Sequence, residues 1–422
     1  MRLSLTKTYL RHSALVLVIG ITLLACSLLP GYADPASPSA TAPGQPTGAA
    51  TLPSEEVAEP IDAAAIQAEA TTSPTVEAAT KGPYVLAIRD RYPFFQTKVT
   101  IAQSLTARAG QLWIGTVSGT IEEIDPQTGI FGKSISLAPG DGGMLTVFPI
   151  QKMVFEGKYL WVHAGFFEGS NFPPGLFAID PETGEIVREW DLNSPEWMQG
   201  YERGGEALDF GFGVSPGKIW IDGHIVDTET FEVMQVSMPT IMTLYAYDGR
   251  EWMWITAEIG GSCNDLILIN VNDPTTGWCE DDWPFFTNAA NGDGLGNLMV
   301  LAGDKIWMAD TGDDGSYVLE AYPADIEQAM ETTGPSLSAP SPDSESSIKL
   351  FVAGDSLWVL DTIGDKMGYL FRVDLQTGET IDSLDLVGDE GRALGDLPVD
   401  IAAEGDNLWV LTTRQLLRIK LP

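Results

Sequence analysis

The chain has 422 residues, with 59 Asp and Glu against 23 Lys and Arg and a formal net charge of −36. That balance excludes nucleic acid as a partner, because binding it requires cations to neutralise phosphate; it suits cationic ligands or plain solubility. Only two histidines, His163 and His224, lie beyond the leader, and no H-E-x-x-H, G-x-S-x-G or Gly-rich phosphate loop occurs, so catalytic constellations are sparse.

Arg2, Lys7, Arg11 and His12 precede an apolar run over residues 14–25. It is too short to span a membrane as a mature helix and has the length of a signal-peptide core. It ends Leu23-Leu24-Ala25-Cys26, which resembles the lipobox of bacterial lipoproteins, although Leu24 stands where a small residue is more usual. That resemblance implies cleavage before Cys26, a diacylated thiol and a membrane held through lipid only. Ordinary cleavage after Gly31-Tyr32-Ala33 is the other reading, and both readings export the chain. The expected organisation is a signal peptide over 1–25, an Ala/Pro/Ser/Thr-rich tether over 26–81 that cannot bury enough surface to offset its ordering entropy, and one repeat domain over 82–422.

That domain repeats one phrase, a tight turn followed by an aliphatic-Trp-aliphatic strand. It occurs at Trp113, Trp161, Trp220, Trp254, Trp307, Trp358 and Trp409. Internal repeats at such spacing signal solenoids or propellers. The Gly-containing turn before each copy supplies the positive φ of a two-residue hairpin. A second phrase follows in four units, where an alternating strand runs into a turn such as Asp125-Pro126-Gln127-Thr128-Gly129 or Asp180-Pro181-Glu182-Thr183-Gly184 and out again. Two hairpins give four antiparallel strands, so the sequence predicts an all-β, seven-bladed β-propeller. The tryptophans are read as filler between blades. The last unit lacks its outer strand, and the segment from Phe94 to Ala102 is expected to supply it and so close the ring.

Long connections fall after the Trp strands and between units, which in an up-and-down blade places them on one face. Loops on a rigid scaffold are where function concentrates, so His163, Phe166, Phe167, Trp197, Tyr201, Asp222, His224, Glu258 and Asp361 are candidate residues of a ligand-binding face. His163 and His224 are expected at equivalent ends of their units, facing the funnel. Asp310, Asp313 and Asp314 in DTGDDG offer hard oxygen ligands on a Gly-rich loop, a candidate structural Ca²⁺ site although the EF-hand spacing is not met; no other cofactor is expected. Cys263 and Cys279 form a candidate disulfide, as a left-over pair in an exported chain does. A hairpin turn at residues 273–276 would set Cys279 opposite a residue near Asn270.

At LFAIDPETGEIVREW, from Leu176, and LFRVDLQTGETIDSL, from Leu370, the chain resembles the repeat of quinoprotein-like (PQQ-repeat/YVTN-type) extracytoplasmic β-propellers. That group contains pyrroloquinoline-quinone dehydrogenases, an outer-membrane assembly scaffold and surface proteins. The dehydrogenases carry eight blades and a Trp-docking motif, which this chain does not match. The Trp strands also resemble those of streptogramin B lyase propellers, which use paired catalytic His and Glu. Two functions stay open on the residues alone: a monomeric, non-enzymatic module that binds protein, peptide or glycan on its loop face, and a metal-dependent lyase or hydrolase with its site in the funnel.

Overall fold

The structure, a computed structural model, describes residues 86–94, 101–137, 148–165, 174–195, 197, 212–221, 223–236, 241–258, 266–274, 277–280, 299–311, 317–325, 328, 336–340, 348–361 and 368–422. It is a seven-bladed β-propeller of four-stranded antiparallel blades. After β1 (Ile88–Pro93), blade 1 comprises β2 (Ala102–Arg108), β3 (Gln111–Thr116), β4 (Thr120–Ile124) and β5 (Phe131–Ser136). Blade 2 comprises β6 (Ile150–Glu156), β7 (Tyr159–Ala164), β8 (Gly175–Ile179) and β9 (Ile186–Asp191), and blade 3 β10 (Phe212–Ser215), β11 (Lys218–Ile221), β12 (His224–Asp227) and β13 (Val233–Gln235). Blade 4 is β14 (Ile241–Tyr247), β15 (Trp252–Glu258), β16 (Leu266–Asn270) and β17 (Gly277–Glu280), and blade 5 is β18 (Met299–Ala302), β19 (Lys305–Thr311), β20 (Tyr317–Pro323) and β21 (Leu337–Pro340). Blade 6 holds β22 (Ile348–Ala353), β23 (Ser356–Asp361), β24 (Tyr369–Val373) and β25 (Thr380–Asp385). A short helix, α1 (Gly388–Ala393), leads to β26 (Pro398–Glu404), β27 (Asn407–Thr412) and β28 (Gln415–Lys420) of blade 7.

Every repeated Trp sits on the second strand of its blade and is buried. The core is accordingly divided into seven clusters, each lying between two adjacent blades and each containing the Trp of the preceding blade. Trp113 of blade 1 packs with Ile150, Leu160 and Val162 of blade 2, and Trp161 of blade 2 with Ile219 and Ile221 of blade 3. The series runs around the ring until Trp409 of blade 7 meets Leu105, Leu112 and Ile114 of blade 1. A flat sheet buries nothing by itself; the indole, among the largest side chains available, fills the wedge where two twisted sheets diverge. In three blades its N–H is also used. Trp161 and Trp358 donate to the carbonyls of Glu156 and Ala353, and Trp220 to the hydroxyl of Ser215, each the last residue of the first strand of its own blade. The ring thus pins the hairpin that carries it.

The turns between third and fourth strands share one hydrogen-bond pattern. Asp125 Oδ1 accepts the amides of Gln127 and Thr128, while Gly129 donates to the Asp125 carbonyl. Asp180, Asp227 and Asp374 do the same in blades 2, 3 and 6, and Asn270 accepts the amides of Asn272 and Asp273 in blade 4. The fifth residue takes positive φ, 68° at Gly129, 79° at Gly184 and 73° at Gly378. In blade 3 that residue is Phe231, at φ 62°. A non-glycine residue in this region is strained by about 1 kcal/mol or more; the ring packs against Tyr159, Trp161 and Trp190 of blade 2, and that packing offsets the strain.

The ring closes with an N-terminal strand, but not the one expected. β1 pairs antiparallel with β28, Ile88 opposite Ile419 and Pro93 opposite Gln415. Residues 94–102 are therefore not the closing strand; Phe94 only adds one further bond, to the Arg414 carbonyl, and Ala102 already begins blade 1. The physical reason is solvent exposure. An outermost strand is wetted on both sides, and Arg89, Asp90 and Arg91 satisfy it while disguising it as a polar linker. Two carboxylates of blade 7 fasten the adjoining interface with blade 1. Asp400 accepts the amide of Leu105 at 2.7 Å and Glu404 that of Gly110 at 2.6 Å. Glu156 makes the equivalent bond to Gly217 between blades 2 and 3.

Candidate functional site

The two faces of the ring differ in how the chain turns. The first and second strands are joined by two residues in six of the seven blades. Connections on the other face are longer and uneven, including the 20 residues between Asp191 and Phe212 and the 18 between Glu280 and Met299. Much of this loop face lies outside the described residues, and with it Phe166, Phe167, Tyr201, Asp222, Cys263, Asp313 and Asp314, as does Cys26. Glu258 ends β15 opposite Ile241 and Asp310 lies in β19 opposite Val318. Cys279 stands opposite Ile267, not near Asn270, because the pair nearest the turn is Ile269 with Gly277, so the hairpin turns earlier than residue 273. The residue opposite Cys279 is thus three positions nearer Cys263 than expected.

The four remaining candidates lie at the base of the loop face and beneath its surface: His163 is 4% exposed, Trp197 5%, His224 3% and Asp361 0%. His163 and His224 do not hold equivalent places. His163 is inside the second strand of its blade, opposite Lys152 and Leu176, whereas His224 starts a third strand opposite Ile221. Burial holds the His163 imidazole down at about 4, so it is neutral at pH 7. His224 lies under the indole of Trp197, stacked at 4.4 Å and 28°. The Trp197 amide is held by Ser194 Oγ, and Asn193 by Asp191 Oδ1, so the start of the long connection between blades 2 and 3 folds down over His224. Asp361 ends β23, where its carbonyl accepts the Gly368 amide.

At the axis the innermost strands carry polar residues near their loop-face ends. In β2, β6, β14 and β26 the ladder is interrupted by a bulge at the corresponding place. Such a bulge re-aims the next side chains. Gln103 Nε2 donates to Gln151 Oε1 at 3.2 Å across blades 1 and 2. Lys349 donates to the Val399 carbonyl and lies 3.5 Å from Asp400 Oδ1, whose other oxygen holds Leu105. One carboxylate thus bridges blades 6, 7 and 1. Desolvation pushes the Lys152 ammonium below its ordinary value, opposed by the Asp400 charge and reinforced by Lys349. None of these residues was singled out from sequence. The available signal was a charge or amide inside an otherwise apolar first strand, as in IQKMVFE and PVDIAAE.

One connection between successive blades is described in full, that from blade 6 to blade 7. Arg392 of α1 makes paired bonds of 2.9 and 2.8 Å to Asp385, a third to Asp389, and lies 5.6 Å over the Tyr369 ring. Burial opposes the charge on Asp385, but Arg392 and the amides of Gly388 and Val387 outweigh it and hold the carboxyl below its usual range. Asp396 accepts from Gln415, and Arg91 of β1 donates to the Leu386 carbonyl. This long connection is therefore stapled to the closing strand. Among the described residues no three of His, Cys, Asp or Glu converge as metal ligands.

No family model and no curated protein matches the chain. Among solved structures it is similar to BamB from Moraxella catarrhalis at 12% identity and a TM-score of 0.47, over 80% of this chain and 98% of that chain.

Proposed function

We propose that this chain is an exported β-propeller, anchored through lipid at Cys26, that acts as a non-enzymatic binding or scaffold module and takes a protein, peptide or glycan partner on its loop face. The observation that carries the reading is the asymmetry of the connections: on one face two residues join the first and second strands of six blades and no connection exceeds the 13 residues between Pro323 and Leu337, whereas connections on the other face reach 20 residues. Tight turns leave little to recognise, whereas long connections on a rigid ring provide a variable surface at low cost to stability. The leader and the Leu23-Leu24-Ala25-Cys26 phrase support export and acylation. In that compartment Cys263 and Cys279 pair, and the monomer is the working state.

Mass spectrometry and membrane fractionation of the full chain and of Cys26→Ala test the anchor; acylation and membrane retention should both disappear in the variant. Crosslinking capture with the full chain, against a version whose residues 198–211 are replaced by a Gly/Ser segment, tests the face. Equal capture by both would remove that connection from the binding face. A stoichiometric transition metal lost on His163→Ala would overturn the non-enzymatic reading.

A further inference from the structure

The short-turn face carries a feature that its turns do not require. Among the described residues, Ile130, Ile186, Val187, Val233, Met234 and Ile381 are large aliphatic side chains left 41–66% exposed. All six lie within three residues after the turn between third and fourth strands, on the outer rim of the short-turn face in blades 1, 2, 3 and 6. The two other exposed aliphatic residues, Ile101 and Leu394, belong to loop-face connections. Ile130 and the residues of β9 and β13 belong to three consecutive blades whose rims adjoin. Lys133 of blade 1 donates to the Pro181 carbonyl of blade 2, and Phe231 of blade 3 packs on Trp190 of blade 2. Single exposed aliphatics are ordinary, but adjoining ones mark a contact surface.

Two further observations select the occupant. The chain enters the propeller on this same face, since Ile88 lies opposite Ile419, two positions beyond which the chain passes the first hairpin of blade 7 through the Leu421–Asp406 bond. Everything N-terminal of the described residues therefore connects to the short-turn side. The charges interleaved with the aliphatic residues are mostly acidic, with Glu182, Glu185, Glu189, Glu229, Glu232 and Glu379 exposed, against Arg188, the half-buried Lys133 and, in the first turn of blade 2, Lys158. Such a rim is repelled by anionic lipid and matched by the ammonium groups of zwitterionic headgroups.

We infer that the short-turn rim of blades 1 to 3 rests on a zwitterionic lipid surface, with the loop face turned outward. The inference rests on the reading of Cys26 as a lipid anchor, which supplies attachment; the rim supplies orientation. A lipid anchor on a long tether limits distance from the bilayer but does not set which side faces it, and shallow aliphatic contacts at headgroup depth do.

Hydroxyl-radical footprinting read by mass spectrometry tests this on the full chain attached to phosphatidylcholine vesicles in two ways: through its own acylated Cys26, and, as Cys26→Ala, through an N-terminal hexahistidine on nickel-chelating lipid. Labelling of Ile186, Val187, Val233 and Met234 should fall several-fold on vesicles, while Leu394 and Ile101 keep their solution labelling. The protection should weaken as anionic lipid is added. Equal labelling on vesicles and in solution overturns the inference, and so does protection without vesicles that grows with protein concentration, which would assign the rim to a second copy. A chain that carries no acyl mass sinks the anchor reading alone, because the nickel-held sample still reports the contact.

Discussion

The carboxylate of Asp400, on the first strand of the last blade, accepts the backbone amide of Leu105, on the first strand of the first, at 2.7 Å and in a buried setting. The same group lies 3.5 Å from the ammonium of Lys349. Replacing it with Ala leaves a buried amide and a half-buried cation without their acceptor, a change of about 3–5 kcal/mol. Urea unfolding of Asp400→Ala should show a midpoint lowered by that energy divided by the slope, at unchanged slope. A midpoint within error of the parent would mean that solvent replaces the carboxylate at the axis.

β1 supplies the outer strand of blade 7, and its start lies beside the end of the chain. A chain beginning at Phe94 should therefore aggregate or fail to fold, since β28 gains an open edge and Leu86 and Ile88 leave the cluster around Trp358. Appending residues 86–93 after Pro422 through a short Gly/Ser turn should restore a cooperative melt. Failure of that circular arrangement would show that the order of synthesis, and not the contact alone, is required.

Phe231 sets two effects against each other. Replacing it with Gly relieves left-handed strain of about 1–2 kcal/mol, but removes a half-buried ring that packs on Tyr159, Trp161 and Trp190, a loss of about 2–4 kcal/mol, less than for a fully buried Phe. Packing should prevail, with Phe231→Gly destabilised by about 1–3 kcal/mol. A more stable variant in thermal and urea denaturation would reverse that ranking.

The amides of Gln127 and Gln376 are the main cause holding Asp125 and Asp374 below the ordinary carboxylate range, as the Thr230 amide is for Asp227. A folded-state value below the unfolded one means a contribution fully present above the unfolded value, about 3.9, and lost as pH falls through the folded value. Asn270 makes the same turn without a charge. Asp374→Asn should therefore keep the turn but lose the contribution of the charge at pH 7, so that its stability falls less than the parent's below about pH 4. Parallel urea titrations from pH 3 to 7 measure the difference, and an unaltered acid slope would count against the assignment.

His163 works in a different window. Its folded value of about 4 lies under the ordinary 6.5, so between those values the unfolded chain takes up a proton that the fold refuses, and stability falls as pH drops. NMR of the His163 ring should show the neutral form persisting at pH 5. His163→Gln should flatten the stability profile between about pH 4 and 6.5, and a ring already charged at pH 6 would refute the burial argument.

The fold was legible because its defining residue repeats. An indole that must fill a wedge seven times leaves seven copies in the sequence, and Gly in two-residue turns marks where each begins. Legibility failed where one local device replaced another. Blade 3 hides its second hairpin because Phe231 occupies the glycine position, and the closing strand IRDRYP reads as a linker because its setting is wet. The candidate site was less legible. Position after a Trp strand was taken for exposure, yet Trp197, His163, His224 and Asp361 are covered. The network of Gln103, Gln151, Lys152, Lys349 and Asp400 is assembled from four first strands far apart in sequence, and no local pattern links them.

The strand that seals the ring is also the strand by which the rest of the chain is attached. A pull on the N-terminus, resisted by a partner held on the opposite face, runs along β1 and β28 rather than across them. The paired positions from Ile88 to Pro93 then share the load at once, and the ring resists in shear instead of opening like a zipper. Mechanical failure, when it comes, begins inside blade 7, where β1 slides off β28, and the interfaces between blades are spared until that pairing has gone.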